Sequence, residues 1–357
     1  MRTAISIGGP ASGRNDDWAD EVTYVREADR LGVDDVWSAE AWGQDAVVPL
    51  AYLAAVTDRI RLCTGIMQIS ARVPSMTAMT ALTLAAVSSG RFVLGLGVSG
   101  PQVVEGLNGV PFAKPLGRLR EHVDIVRLAF AGEKITYDGE HHRLPLPGGE
   151  GKALRLSQPA NTSIPIYLAT LGPLALRYTG ATADGWVGTS FVPEAADVLL
   201  RPMREGAAAA GRAADAVDVQ VGGSVAFGDR AALLDRHRAG IAFPVGAMGS
   251  EKNNFYRDAY VRAGFGEACA EVASLWLAGR RDEAIRRVPD EMVAATTFLG
   301  SEDDVRARIR AYRDAGVGTL RILPDGRDVT ERIDTLGRML DLVREVAAEP
   351  STSPAAS

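Results

Sequence analysis

Short apolar runs rich in β-branched residues alternate along this chain with longer amphipathic runs. The first kind of run predicts a strand and the second a helix. Strands are expected over Ala4–Ile7, Asp35–Ser38, Ile60–Met67 and Phe92–Leu96 in the first third of the chain. Helices are expected between them over Asp17–Leu31, Asp45–Thr57 and Met76–Ser88, the first closed by Gly32 as a C′ residue would close it. A helix over Leu116–Ala131 precedes an excursion, Lys134–Pro147, with the pattern of a hairpin. The alternation then resumes with strand Ile164–Ala169, helix Pro173–Ala183, strand Trp186–Thr189, helix Ala195–Ala210 and strand Val217–Ala226. Thr319–Leu323 is the eighth strand, followed by a closing helix over Val329–Val346.

Runs of strand–helix units predict a parallel sheet covered by helices. Eight of them in 357 residues predict a (β/α)8 TIM barrel with a helical insertion between strands 7 and 8. The insertion covers about 240–300, with helical segments over Asn254–Ala263, Ala268–Ala278 and Asp282–Arg287. No Pro/Ser-rich linker marks a boundary, so residues 1–348 are expected to form a single domain, and 349–357 a disordered tail.

Composition narrows the function classes. Hydrophobic residues make up 46% of the chain and charged ones 24%, a globular balance with a sizeable core. The net charge of −6 shows no basic footprint, so no nucleic-acid partner is expected. The N-terminal apolar run is too short for a secretory segment, and no run is long enough to span a bilayer. Two cysteines without metal spacing, Cys63 and Cys269, fit a reducing compartment, and a cytoplasmic location is expected. The four histidines have no companions at metal spacing, and His141-His142 is expected to face solvent.

The chemistry is signalled by Gly95-x-Gly97-x-x-Gly100, the spacing of a dinucleotide-binding turn. That fingerprint needs a first strand, a long helix opening at the third glycine, and an acid about 20 residues on at a strand end. Here the glycines come after the fourth strand. Gly106, Gly109 and Pro111 interrupt the segment beyond Gly100, and Glu121 falls inside a helix. The better reading is a glycine-rich loop at the C-terminal end of a barrel strand, where barrel enzymes build their sites. The other strand ends are also polar or glycine-rich: Ser38 to Asp45, Thr64 to Pro74, Ala169 to Pro173 and Gly188 to Phe191. The corner Leu171-Gly172-Pro173 opens a helix, either as a plain start or as a phosphate site.

These motifs resemble the luciferase-like oxidoreductase superfamily, in the branch that uses the deazaflavin coenzyme F420 and includes methylenetetrahydromethanopterin reductase. The resemblance spans nearly the whole chain. It is carried by Ala39-Glu-Ala-Trp-Gly-Gln-Asp-Ala46, Arg61-Leu-Cys-Thr-Gly-Ile66 with Arg72-Val-Pro74, the glycine loop through Val104-Glu-Gly106, and Asp184-Gly-Trp-Val187. Met248-Gly249 through Asn254-Phe255, Leu277-Ala-Gly279 and Val288-Pro289 add to it. The resemblance implies the barrel with its insertion, and a non-prolyl cis peptide at Gly65–Ile66 backing the deazaflavin ring. It implies cofactor contacts at Glu40, Thr64, Gly65, Ile66, Gly97, Val98, Ser99, Leu171, Gly172 and Thr189, with Leu171 replacing the first glycine of the family's phosphate corner. Trp42 and Ser190 would line the substrate pocket, with Gln68 and Asp45 as weaker pocket candidates.

Hydride transfer between F420 and a small organic substrate is the implied activity, with a homodimer or larger assembly as the family habit. Glu40 is the candidate acid/base, or equally a structural partner of a neighbouring N–H or arginine. Two departures argue against glucose 6-phosphate as substrate. Glu40-Ala41 stands where related dehydrogenases carry Asp-His, and Val192 where they carry a lysine. The alternatives are an FMN-dependent monooxygenase of the same superfamily and a deazaflavin-binding protein without turnover.

Overall fold

The structure is a computed structural model that describes residues 1–8, 18–249 and 253–350. Of the expected tail, the part from Ser351 onward lies outside the described residues, as do Asp17 and residues 250–252. Contacts divide the chain into two compact units. One comprises Met1–Ser6, Gly13–Asp35 and Thr170–Ser357, the other Ile7–Ser12 and Val36–Ala169.

In the second of these units the strands Asp35–Ser38, Arg61–Thr64, Phe92–Gly97 and Ile166–Ala169 lie side by side in chain order. The last two pair in parallel from Leu94 opposite Ile166 to Gly97 opposite Ala169. The third strand is shorter than its apolar run suggests. It stops at Thr64, where the peptide Gly65–Ile66 is cis as the resemblance implies. The chain rejoins the sheet as Met67–Gln68, paired with Leu96 and Gly97. Helices Val47–Ala54, Pro74–Val87 and Pro115–Phe130 supply the crossovers that parallel pairing requires. The expected hairpin is present as Tyr137–Asp138 against Arg143–Leu144. The Trp37 and Tyr167 rings meet at a tilt, 5.4 Å between ring centres.

In the other unit, Arg2–Ile7 pairs in parallel with Thr319–Pro324, which pairs with Asp218–Phe227, which pairs with Gly185–Val187. The strand Asp218–Phe227 has ten residues because its far end pairs with an additional short strand, Phe298–Gly300. Gly222 and Gly223 make this double use possible. A Cβ at Gly222 would lie 1.8 Å from the Arg321 carbonyl oxygen, and one at Gly223 would lie 2.1 Å from that of Thr296. The insertion is helical over Arg230–Gly246, Phe255–Tyr260, Gly266–Leu277, Arg281–Arg286 and Asp290–Thr296. Its apolar faces share one core of Leu234, Ile241, Val245, Val272, Met292 and Val293 with Leu299. A helix over Glu302–Asp314, opened by a capping box between Ser301 and Asp304, comes after it. Among the described residues, no helix is long and apolar enough to cross a membrane.

Candidate functional site

The strand ends of the Val36–Ala169 unit hold a connected set of polar side chains. Glu40 lies just past the second strand and accepts from the Arg72 guanidinium at 2.6 Å and from the Gln68 backbone N–H at 3.1 Å. Arg72 also reaches Asp45 at 2.7 Å. Asp45 in turn accepts from the Val47 and Val48 N–H groups, capping the helix Val47–Ala54. Burial alone would lower the Arg72 pKa, but the bonds and charges of Glu40 and Asp45 outweigh it and raise it. Gln68 is almost fully buried. It donates to the Glu40 and Ala41 carbonyls and accepts from Asn108, which also donates to Ser70. Glu40 therefore makes the contacts of a structural partner to arginine and N–H groups, and Gln68 is a buried brace. Trp42, by contrast, is exposed.

Next to this network lies the glycine loop. The buried Thr64 hydroxyl bonds both the N–H and the carbonyl of Gly95, each at 2.9 Å. A Cβ at Gly95 would sit 1.9 Å from the Thr64 oxygen, and one at Gly97 would sit 3.0 Å from the Ile66 side chain. Gly65 lies against the Trp37 ring. At Gly100 a Cβ would meet nothing within 4 Å, and the helix after it, Pro101–Val104, is a single turn. The first two glycines thus let the third and fourth strands approach, and the long helix of a dinucleotide turn is absent. Ser99 adopts a left-handed conformation, φ 58°, uncommon for a non-glycine residue and a pointer to function where it sits at a strand end. Val98, Ser70 and Arg72 border a cavity of about 260 Å³ that extends past Val104 and Phe112 to His122.

The other unit contributes its own strand ends. The Leu171 carbonyl accepts from Arg262 at 2.8 Å, and Gly172 caps the helix Pro173–Thr182 with proline at its first position. Thr189 is half-buried. Ser190 is buried and left-handed, φ 52°. The Tyr260 phenol, which burial pushes up to about 12, faces the Ser190 and Thr296 hydroxyls. Among the described residues, no group of three or more histidines, cysteines or acids is placed to hold a metal.

Reading the residues did not single out Arg72, Asn108, Tyr260 or Arg262 as site members, although Arg72 stands inside a quoted motif. An arginine's partner, two carboxylates 27 and 32 residues upstream, has no local sequence signature. His142 departs from its expected solvent-facing position. It is half-buried with Nδ1 at 3.3 Å from Glu121, because that carboxylate gathers the hairpin's N–H groups.

Comparison with known proteins places these features. A coenzyme F420-dependent oxidoreductase, so named, of Mycobacterium tuberculosis is 41% identical over 311 residues, covering 85% of this chain and 89% of that one. The 5,10-methylenetetrahydromethanopterin reductase of Methanolobus tindarius is 30% identical over 82% of this chain and 86% of its own. The solved structure of coenzyme F420-dependent tetrahydromethanopterin reductase from Methanopyrus kandleri superposes with a TM-score of 0.77. The two are 23% identical, over 94% of this chain and 97% of that one. The fold is thus the (β/α)8 barrel that the alternating pattern predicts. The family described as luciferase-like monooxygenase matches residues 2–319, and the chain belongs to it.

Proposed function

We propose that this protein is an F420-dependent oxidoreductase acting on a small organic substrate. The observation that carries the reading is the cradle at Thr64–Gly97. There Gly95, which the Thr64 carbonyl requires, Gly97, packed tightly against Ile66, and a left-handed Ser99 shape bare backbone at a strand end. The name of the M. tuberculosis relative, 41% identical to this chain, supports F420 over FMN as its ligand. When bound, F420 supplies a hydride-carrying carbon that does not pass electrons to oxygen as reduced flavin does.

The chain's own residues then have positioning duties. Ile66 and Val98 offer apolar surface to a flat ring, and Gly65, Gly97 and Ser99 offer backbone. Thr64 fixes the two strands that carry them. Leu171 and Gly172 offer the start of a helix to the cofactor's phosphate, with Thr189 nearby in sequence at the next strand end. Glu40 holds Arg72 and the Gln68 backbone in place. Trp42 and Ser190 remain the substrate-side candidates. Under this reading, reduced F420 with the protein is oxidised anaerobically by an organic acceptor, and no oxygen is taken up. Oxygen uptake with reduced FMN would point to the monooxygenase reading, and cofactor binding with no turnover across a broad acceptor panel to a binding protein.

We further propose a homodimer. Helices Val47–Ala54 and Pro74–Val87 touch, and expose Val48, Tyr52, Met76 and Val87. Exposed apolar side chains on two touching helices are the kind of surface that a second copy would cover. A Val48→Glu, Met76→Glu double variant should sediment as a monomer where the wild type sediments as a dimer. Wild-type protein that sediments as a monomer would refute the dimer.

A further inference from the structure

Arg321 lies on the last strand, Thr319–Pro324, with its two neighbours Leu320 and Ile322 fully buried on the core side. Strand alternation puts Thr319, Arg321 and Leu323 on the opposite face. At Thr319 the polar groups of that face satisfy one another. The Thr319 hydroxyl bonds Asp218 at 2.8 Å, and Arg2 pairs with the same carboxylate at 2.5 Å. At Arg321 they do not. Its cross-strand neighbours are Gly222, which has no side chain, and Ala4, which has no polar one. Among the described residues its one hydrogen bond runs to the Gly188 carbonyl at 3.1 Å, and the titratable groups beside it are the phenols of Tyr256 and Tyr312. Among the described residues no carboxylate lies within ion-pair distance of it. Burial weakens its hold on its proton, and pushes the Tyr256 phenol up, so the tyrosine offers no counter-charge at neutral pH.

A guanidinium stays charged in a protein, and buried charges are ordinarily paired. A half-buried one with a single carbonyl for company still has donors to give. We propose that Arg321, flanked by Tyr256, binds the carboxylate of the substrate. This rests on the oxidoreductase reading and narrows its substrate to a carboxylic acid. One planar fork of parallel N–H donors fits a carboxylate in shape and balances its single charge, whereas a phosphate dianion, which the fork also fits, would keep one charge unbalanced.

The test uses protein saturated with F420, titrated with crotonate, benzoate and 2-oxobutanoate, with the methyl ester of each, and with inorganic phosphate. Calorimetry and cofactor fluorescence read the binding. At least one acid is expected to bind about tenfold tighter than its ester or better. Arg321→Met erases that preference and Arg321→Lys keeps part of it. Both variants bind F420 within about twofold of wild type, since a substrate anchor contributes little to the cofactor. Removing an unpaired charge should leave the Tm of Arg321→Met equal or higher, whereas a purely structural arginine would lower it. No acid bound, acid and ester bound alike, phosphate bound tighter than every acid, or a preference surviving in Arg321→Met would each overturn the assignment. Wild-type protein that ignores F420 yet binds an acid through Arg321 would sink the cofactor reading and leave the anion site standing.

Discussion

At the scale of single residues, the glycine spacing shows how one motif can hold three different positions. Gly95 is enforced by the Thr64 oxygen, Gly97 is packed tightly on the Ile66 side chain, and Gly100 meets nothing within 4 Å. Gly95→Ala should therefore destabilise the protein by about 3 kcal/mol, the upper range for overpacking a tight interior. Gly100→Ala, at φ −127°, should change stability by less than about 0.5 kcal/mol. Urea denaturation of the pair measures both, and equal losses would contradict this division. Sequence spacing flags all three alike, since it carries no information on which strand lies across from each glycine. Glu40 shows the same limit. Its neighbours in sequence mark a site, but its partner Arg72 becomes visible only when the third strand's end is folded beside the second.

Among the elements, the helix Pro115–Phe130 carries two adjacent groups whose states depend on folding. Glu121 collects the N–H groups of Glu140, His141 and His142 at 2.7, 2.9 and 2.7 Å. Burial alone would raise its pKa, but these bonds outweigh it and hold it below the usual carboxylate range. Its contribution is present above the ordinary carboxylate pKa and is lost as pH falls through its lowered folded value. Glu121→Gln should cost about 2 kcal/mol at neutral pH, the worth of charge-assisted bonds, and loosen the hairpin to hydrogen exchange. His122 is buried with Nε2 at 3.0 Å from the Thr77 hydroxyl, and burial, then the nearby His142, push its pKa to about 3. A base whose folded pKa is depressed makes the unfolded chain the better proton acceptor, so stability erodes as pH drops below about 6.5. Between pH 6.5 and 5 the loss should reach about 2 kcal/mol, and His122→Gln should remove most of that slope. A variant with an unchanged slope would show that other groups drive it.

The same scale shows what was legible. Long amphipathic runs gave their helices to within a few residues, because period and length agree. The helix Glu302–Asp314 went unassigned although Ser301-x-x-Asp304 announces its cap. It lies behind the insertion, where several short helices blur the alternation. The strand Phe298–Gly300 is three residues long and exists only because Asp218–Phe227 extends to meet it, a long-range cause with no local signal.

For the whole molecule, eight strand–helix repeats were enough to predict the barrel, and the superposition on the Methanopyrus kandleri reductase agrees. The site was legible as a set of unusual strand ends, and less so as roles. Polar residues there, Glu40 and Gln68 among them, take their bracing contacts from partners far away in sequence. The central claim is that the Thr64–Gly97 cradle holds F420. Equilibrium titration of the purified protein with F420 and with FMN, read by fluorescence, tests it most directly. The account predicts saturable F420 binding that is weakened at least tenfold by Gly97→Val, whose side chain would press on Ile66 and displace it from the cradle's apolar wall. Tight FMN binding with none for F420, or F420 binding indifferent to Gly97→Val, would contradict it.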